Sequence, residues 1–221
     1  MEEHQEETPM PFFIAFAGKK QVGKDTATKM AVEMLEAAGK KVAVTAFAEP
    51  LKEMCITILG LKSEEVYGTD EQKNALSHIL WDGFSHEVRM KYAQRESIEQ
   101  ATTLPRSGRM TNREVLQVMG TDVFRAIHDN VWAEAPFNRD WEDHDVVILT
   151  DCRFPNEVKT TEENNGVVVR IIRETGLVDT HASETALDNH VFDRGMTIYN
   201  DGSIGKLQTQ VRSILTKLEL L

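Results

Sequence analysis

The feature that most constrains this chain is the segment Gly18-Lys19-Lys20-Gln21-Val22-Gly23-Lys24-Asp25-Thr26, which follows a continuous apolar run, Pro11 to Ala17 (PFFIAFA). After it, Ala27, Met30, Ala31, Met34 and Leu35 recur at helical spacing from Asp25 to Ala38, and Gly39 with Lys40 and Lys41 supplies a stop. An unbroken apolar run of this length reads as a strand covered on both faces. Glycines let the intervening loop curl until successive N–H groups converge on an anion. The helix N-terminus adds partial positive charge, and Lys24 reaches the β- and γ-phosphates of a nucleotide. Strand, glycine loop and helix in this order define a phosphate-binding P-loop. A second strand, Lys41 to Phe47, follows at once and completes a βαβ unit with a right-handed crossover.

The β pattern returns at Asp145–Thr150 (DVVILT), Val167–Ile172 (VVVRII) and Met196–Asn200 (MTIYN), and a last helix is expected from about Ser203 to Leu218. Strands alternating with helices predict an α/β fold with a five-stranded parallel sheet and helices on both faces. From Ala48 to about Asp143 charge rises and helical patterns such as Glu49–Leu59 and Asn112–Ile127 dominate, which predicts a mostly helical insertion. At 221 residues the chain has room for one domain, residues 11–221, carrying an insertion at about 49–140 and a lid at about 173–190. The polar leader, residues 1–10, is expected to be disordered.

Twenty-five Lys and Arg against 36 Asp and Glu leave a net charge of −11, which excludes a broad cationic face for duplex nucleic acid or an anionic membrane. Phosphate must be bound locally. Cys55 and Cys152 lie far apart without a metal-ligand spacing, and no histidine zinc pattern occurs. With no membrane-length apolar run and an acidic start where a targeting peptide is basic, the expected location is the cytoplasm.

Asp151 closes the third predicted strand in Thr150-Asp151-Cys152-Arg153-Phe154-Pro155-Asn156-Glu157. A carboxylate there lies on the sheet edge where α/β proteins bind ligands and can hold magnesium as a Walker-B aspartate does. Arg153 faces the same crevice, and Cys152 reads as a small buried residue. In the loop, Asp25 takes the place where most P-loops carry the magnesium-binding hydroxyl, and Thr26 comes one residue later. This G-K-x-T arrangement resembles nucleoside monophosphate kinases of the adenylate kinase type and disfavours switch GTPases and motor ATPases. Asp25 reads as a first-turn carboxylate or as a partner of magnesium-bound water.

Several further segments occur in one order: Phe47-Ala48-Glu49-Pro50-Leu51-Lys52, Thr111 to Thr121 (TNREVLQVMGT), the D-C-R-F-P-N-E stretch, His181-Ala182-Ser183-Glu184 and Asn200-Asp201-Gly202-Ser203. With the P-loop they resemble the deoxynucleoside monophosphate kinases of tailed bacteriophages from Phe12 to the last helix, leaving out the leader and Ser77 to Thr103. The resemblance implies transfer of the ATP γ-phosphoryl group to a deoxynucleoside 5′-monophosphate with Mg2+, for DNA precursor synthesis. Catalytic roles then fall to Lys24, Asp151, Arg153 and Arg173. ATP binding falls to Gly18, Lys20, Val22, Gly23, Lys24, Asp25, Thr26, Asn200 and Gly202, the turn at Asn200 lying beside the adenine through backbone groups. Metal binding, directly or through water, falls to Asp151, Thr26 and Asp25.

Within the insertion, Glu49, Lys52, Arg113, Gln117 and Arg125 are the acceptor-binding candidates, cations for the monophosphate and directional groups for sugar or base. Arg106 and Arg109 are weaker candidates, and each arginine also reads as an ordinary solvated charge. The lid places Arg170 and Arg173 at a strand end, with His181 in the loop Gly176–Glu184. Trp132, Trp81 and Phe84 read as core. Competing readings are a phosphomevalonate-type kinase with the same loop, and a non-catalytic P-loop nucleotide sensor. The expected partners are ATP and a deoxynucleoside monophosphate, and a homodimer stays open.

Overall fold

The computed structural model describes residues 10–96, 104–176, 185–192 and 196–221. In chain order its main elements are β1 (Phe12–Ala17), α1 (Lys24–Ala37), β2 (Val42–Thr45), α2 (Glu49–Thr57), α3 (Ser63–Tyr67), α4 (Asp70–Asn74), β3 (Leu76–Leu80), α5 (His86–Glu96), β4 (Arg109–Thr111) and α6 (Asn112–Gln117). A π-helical stretch (Val118–Phe124), α7 (Arg125–Ile127), α8 (Val131–Glu134), β5 (Val146–Cys152), α9 (Pro155–Glu163), β6 (Gly166–Ile172), β7 (Met196–Tyr199) and a C-terminal helix (Ile204–Lys217) follow. The chain divides into two units, Ala48–Trp132 and the remainder. The expected leader lies, up to residue 9, outside the described residues, as does most of the expected lid loop with His181. Among the described residues no helix is long and apolar enough to cross a membrane.

The larger unit is an α/β sheet of five parallel strands in the order β2-β5-β1-β6-β7. β1 is central, and its side chains divide between the two faces. Ile14 and Phe16 pack with Ala27, Ala31 and Leu35 of α1 and with Leu207, Val211 and Leu215 of the C-terminal helix. Phe13, Ala15 and Ala17 join Val158 of α9, Phe47 and Phe137 on the other face. Cover on both sides is why β1 reads as an unbroken apolar run rather than an alternating one. The crossovers leave β1 and β5 toward opposite sides, so the P-loop follows β1 at the point where the strand order reverses.

β5 departs from expectation in a way that matters for the site. It continues to Cys152 instead of ending at Thr150, and its register with β1 slips: Ala15 pairs with Leu149, but Ala17 pairs with Cys152. The extra residue is a β-bulge. Without it Asp151, two residues after Leu149, would point into the apolar layer; with it Cys152 takes that inward place and Asp151 is turned out of the core.

The smaller unit is built around Cys55, Leu61, Val66, Trp81, Met110, Val115 and Val118. The segment is mostly helical as expected, with one addition: β3 and β4 pair antiparallel into a small two-stranded sheet. Ser77 Oγ donates to the Met110 carbonyl (2.9 Å), and Arg109 Nε donates to the Ser77 carbonyl (2.6 Å). A three-residue β4 carries too little periodicity to read from sequence. The helix expected at Asn112–Ile127 forms over that whole span, with π-helical turns at Val118–Phe124 in its middle. There the Gly120 carbonyl accepts from Trp132 Nε1 (2.8 Å), and the Asp122 carboxylate accepts from Tyr92 Oη (2.9 Å) and Lys91.

Candidate active site

The loop between β1 and α1 is shaped by residues that tolerate unusual backbone. Gln21 and Gly23 both have positive φ, 64° and 102°, on either side of the buried Val22. A Cβ at Gly18 would stand 2.6 Å from the Ile171 carbonyl oxygen, so only glycine allows the loop to start this close to β6. Gly23 is the residue before α1 and has no side chain to cap it, which leaves the first-turn amides of a 14-residue helix available to an anion.

Lys24 folds back over the loop, where its ammonium donates to the carbonyls of Gly18 (2.7 Å) and Lys19 (2.9 Å). Burial, aided by the Arg153 guanidinium nearby, lowers its pKa from 10.5 to about 8, against the pull of Asp25 and Asp151. Asp151 Oδ1 accepts from the Phe47 N–H (2.6 Å), which ties the bulged end of β5 to the chain leaving β2. Arg153 is held through its backbone. Glu157 Oε2 accepts the N–H groups of Arg153 (2.7 Å) and Phe154 (3.0 Å) and so caps α9. This gives the acidic end of D-C-R-F-P-N-E its job. Cys152 is fully buried and its thiol is pushed well above the usual range by that burial, so it stays neutral.

The start of the loop and the end of β5 border a cavity of about 90 Å³. Gly18, Lys19 and Val22 form one wall, Cys152 and Arg153 a second, Arg170 to Arg173 a third, and Leu187, Asp188 and Phe192 a fourth. Lys19 pairs with Asp188 (2.9 Å), and the Arg170 guanidinium lies 5.6 Å from the centre of the Phe192 ring. Among the described residues, Arg153, Arg170 and Arg173 therefore stand beside the loop around one small cavity, a cationic lining of the kind that suits an anion.

The sequence profile of the deoxynucleotide monophosphate kinase family matches residues 67–211, well over half of the chain. The chain belongs to the deoxynucleotide monophosphate kinase family. A relative from Acanthamoeba polyphaga mimivirus, provisionally named a deoxynucleotide monophosphate kinase, is 28% identical over 215 residues, which cover 90% of this chain and 94% of the relative. The activity of such a kinase is phosphoryl transfer, and the family matched is that of nucleotide kinases, not of the phosphomevalonate type.

In this kinase the fold gathers Gly18, Val22, Gly23, Lys24, Asp151, Arg153, Arg173 and Asn200 at the carboxyl edge of the sheet. Lys20, Asp25 and Thr26 are exposed on the same loop and first helical turn, and Gly202 is exposed beyond β7. Asn200 spends its side chain on the loop, Nδ2 donating to the Val22 carbonyl (2.8 Å).

Among the insertion residues, Glu49, Lys52 and Tyr67 form one cluster: Tyr67 Oη donates to Glu49 Oε1 (2.7 Å), and Lys52 Nζ lies 4.7 Å from the ring centre. Arg113 is bound to Asp70 and Asn74, both at 2.8 Å, while Gln117 and Arg125 are half-buried on α6 and α7. Arg106 pairs with Glu114 and covers Trp81, and Arg109 braces β3, so both have structural work. Sequence reasoning placed Arg170 at the strand end beside the lid without giving it a role, and missed Asp188 as a cavity wall, Tyr67 beside Lys52 and the left-handed Gln21. The aromatic of Val-Tyr-Gly near an acidic helix was the one available signal; the others depend on distant neighbours.

Proposed function

We propose that this kinase transfers the γ-phosphoryl group of ATP to a deoxynucleoside 5′-monophosphate with Mg2+, giving ADP and the deoxynucleoside diphosphate. One observation carries the reading: a glycine loop that curls around the Lys24 ammonium opens on a cavity lined by Arg153, Arg170 and Arg173. The loop amides and α1 N-terminus hold the triphosphate, and Lys24 exchanges its carbonyl partners for phosphate oxygens. Arg153 and Arg173 offset charge on the transferring group, where a preorganised cation acts without reorganisation. Lys20 and the turn at Asn200–Gly202 complete the ATP end.

The donor set suits Mg2+. Thr26 hydroxyl and the Asp25 and Asp151 carboxylates are hard oxygen ligands, and no three-carboxylate or histidine cluster forms a protein cage among the described residues. Mg2+ typically takes one or two protein oxygens and completes its shell with phosphate and water. Asp25, Thr26 and Asp151 would hold it, directly or through water, and it would supply positive charge to offset that of the phosphates. The acceptor end is assigned to the insertion, with Glu49, Lys52, Gln117, Arg113 and Arg125, joined by Tyr67.

A coupled ADP-release assay over the common deoxy- and ribonucleoside monophosphates, with phosphomevalonate as control, tests the reading. ADP release that needs both Mg2+ and a deoxynucleoside monophosphate is expected. ATP binding with no release on any acceptor would instead make the protein a nucleotide sensor.

A further inference from the structure

We propose that the Asn200 side chain is a positioning residue that locks the phosphate-binding loop from the turn after β7, and thereby sets affinity for a triphosphate tail whatever base is attached. The turn is itself anchored, since the Asn200 N–H donates to the Ile172 carbonyl (2.8 Å) at the end of β6. From that fixed point Nδ2 donates to the Val22 carbonyl (2.8 Å), 178 residues back in sequence. Gly23 packs directly beneath: a Cβ there would lie 2.5 Å from Nδ2.

The consequence follows from peptide geometry. In a planar trans peptide the C=O of Val22 and the N–H of Gly23 point in opposite directions, so fixing one fixes the other. That peptide leads into left-handed Gly23 at φ 102°, one residue after left-handed Gln21 at φ 64°, and its plane is held by a restraint from outside the loop. Asn200 supplies it and holds the Gly23 amide in one direction. A side chain committed in this way reads the loop and not the base.

The test is calorimetric titration of inorganic tripolyphosphate, ATP and GTP into the full chain, its Asn200→Ala variant and its Asn200→Asp variant. Losing one neutral hydrogen bond should weaken all three ligands by the same factor, about 3- to 10-fold for Asn200→Ala. The loss should be larger for Asn200→Asp, whose carboxylate faces the Val22 carbonyl. KM for the monophosphate acceptor should stay unchanged, and amide hydrogen exchange at residues 18–24 should quicken in ligand-free Asn200→Ala. Unchanged tripolyphosphate affinity overturns the inference, whether it comes with an altered ATP-to-GTP ratio, which marks a base contact, or with a lowered Tm alone, which marks a turn stabiliser. The inference rests on the P-loop reading above, and the ligand-free exchange separates the two. A wild type that binds no tripolyphosphate sinks that reading, whereas unchanged exchange at residues 18–24 overturns this inference alone.

Discussion

Lys24 is the residue at which burial and charge meet most directly. It is the P-loop lysine, and it lies between two loop carbonyls with Arg153 as a cationic neighbour. Replacing it with Met should lower kcat/KM at least about 100-fold, in the range for loss of one preorganised charge, as read by steady-state kinetics on a variant with wild-type circular dichroism. A folded variant with near wild-type turnover would remove the lysine from the mechanism. With a pKa of about 8, the free protein loses the ammonium as pH rises past that value, while bound phosphate favours the charged form. ATP affinity should therefore hold below pH 8 and fall by up to about tenfold per pH unit above it, measured by calorimetry in buffers of different ionisation enthalpy. A flat profile to pH 9.5 would contradict it. Stability carries the opposite sign. Between about 8 and 10.5 the unfolded chain binds more protons at this residue than the native one, so its contribution to stability rises with pH across that window.

At the scale of elements, α9 shows how a helix start serves the site. The Glu157 carboxylate is buried and accepts two backbone N–H groups at the junction with β5, one of them that of Arg153. Glu157→Ala removes the buried carboxylate acceptor from both donors. It should cost about 1–3 kcal/mol in urea unfolding, with kcat lowered through misplacement of Arg153. Glu157→Gln keeps an acceptor oxygen and should recover most of the loss; equal damage from both variants would point to charge rather than capping. The bulge in β5 belongs to the same scale. One added residue exchanges the inward and outward places of Cys152 and Asp151, which a strand of regular pleat cannot do.

For the whole molecule, a net charge of −11 coexists with a cavity that, among the described residues, is bordered by Lys19, Arg153, Arg170 and Arg173 against one carboxylate, Asp188. The cations are concentrated where phosphate is proposed to bind, which is how an acidic protein handles a polyanion. If the acceptor binds in the insertion, as proposed, choice of sugar belongs there. A side chain packed where a 2′-hydroxyl projects leaves that hydroxyl clashing or unpaired, at about 1–3 kcal/mol. Deoxynucleoside monophosphates should exceed their ribose counterparts by roughly 5- to 150-fold in kcat/KM, compared pairwise for dGMP and GMP and for dTMP and its ribose form. Equal values would defeat sugar selection and leave phosphoryl transfer standing. Tyr67, hydrogen-bonded to Glu49 and next to Lys52, is the side chain to vary first.

What the sequence determined by itself was local: the P-loop from its glycine spacing, the five parallel strands from apolar runs covered on both faces, and the helices from their periodicity. Such signals are legible because the residues that carry them lie within one or two turns or strand lengths of each other. The departures all involve partners far apart in the chain. Asp151 leaves the core only because β5 slips against β1, Asn200 reaches the loop from 178 residues away, Asp188 meets Lys19 across 169, and β4 becomes a strand only by pairing with β3. No periodicity encodes those pairings, since each is selected by packing and by the need of buried polar groups for partners. The type of site is therefore written in the chain, and the direction in which its groups point is decided by the fold.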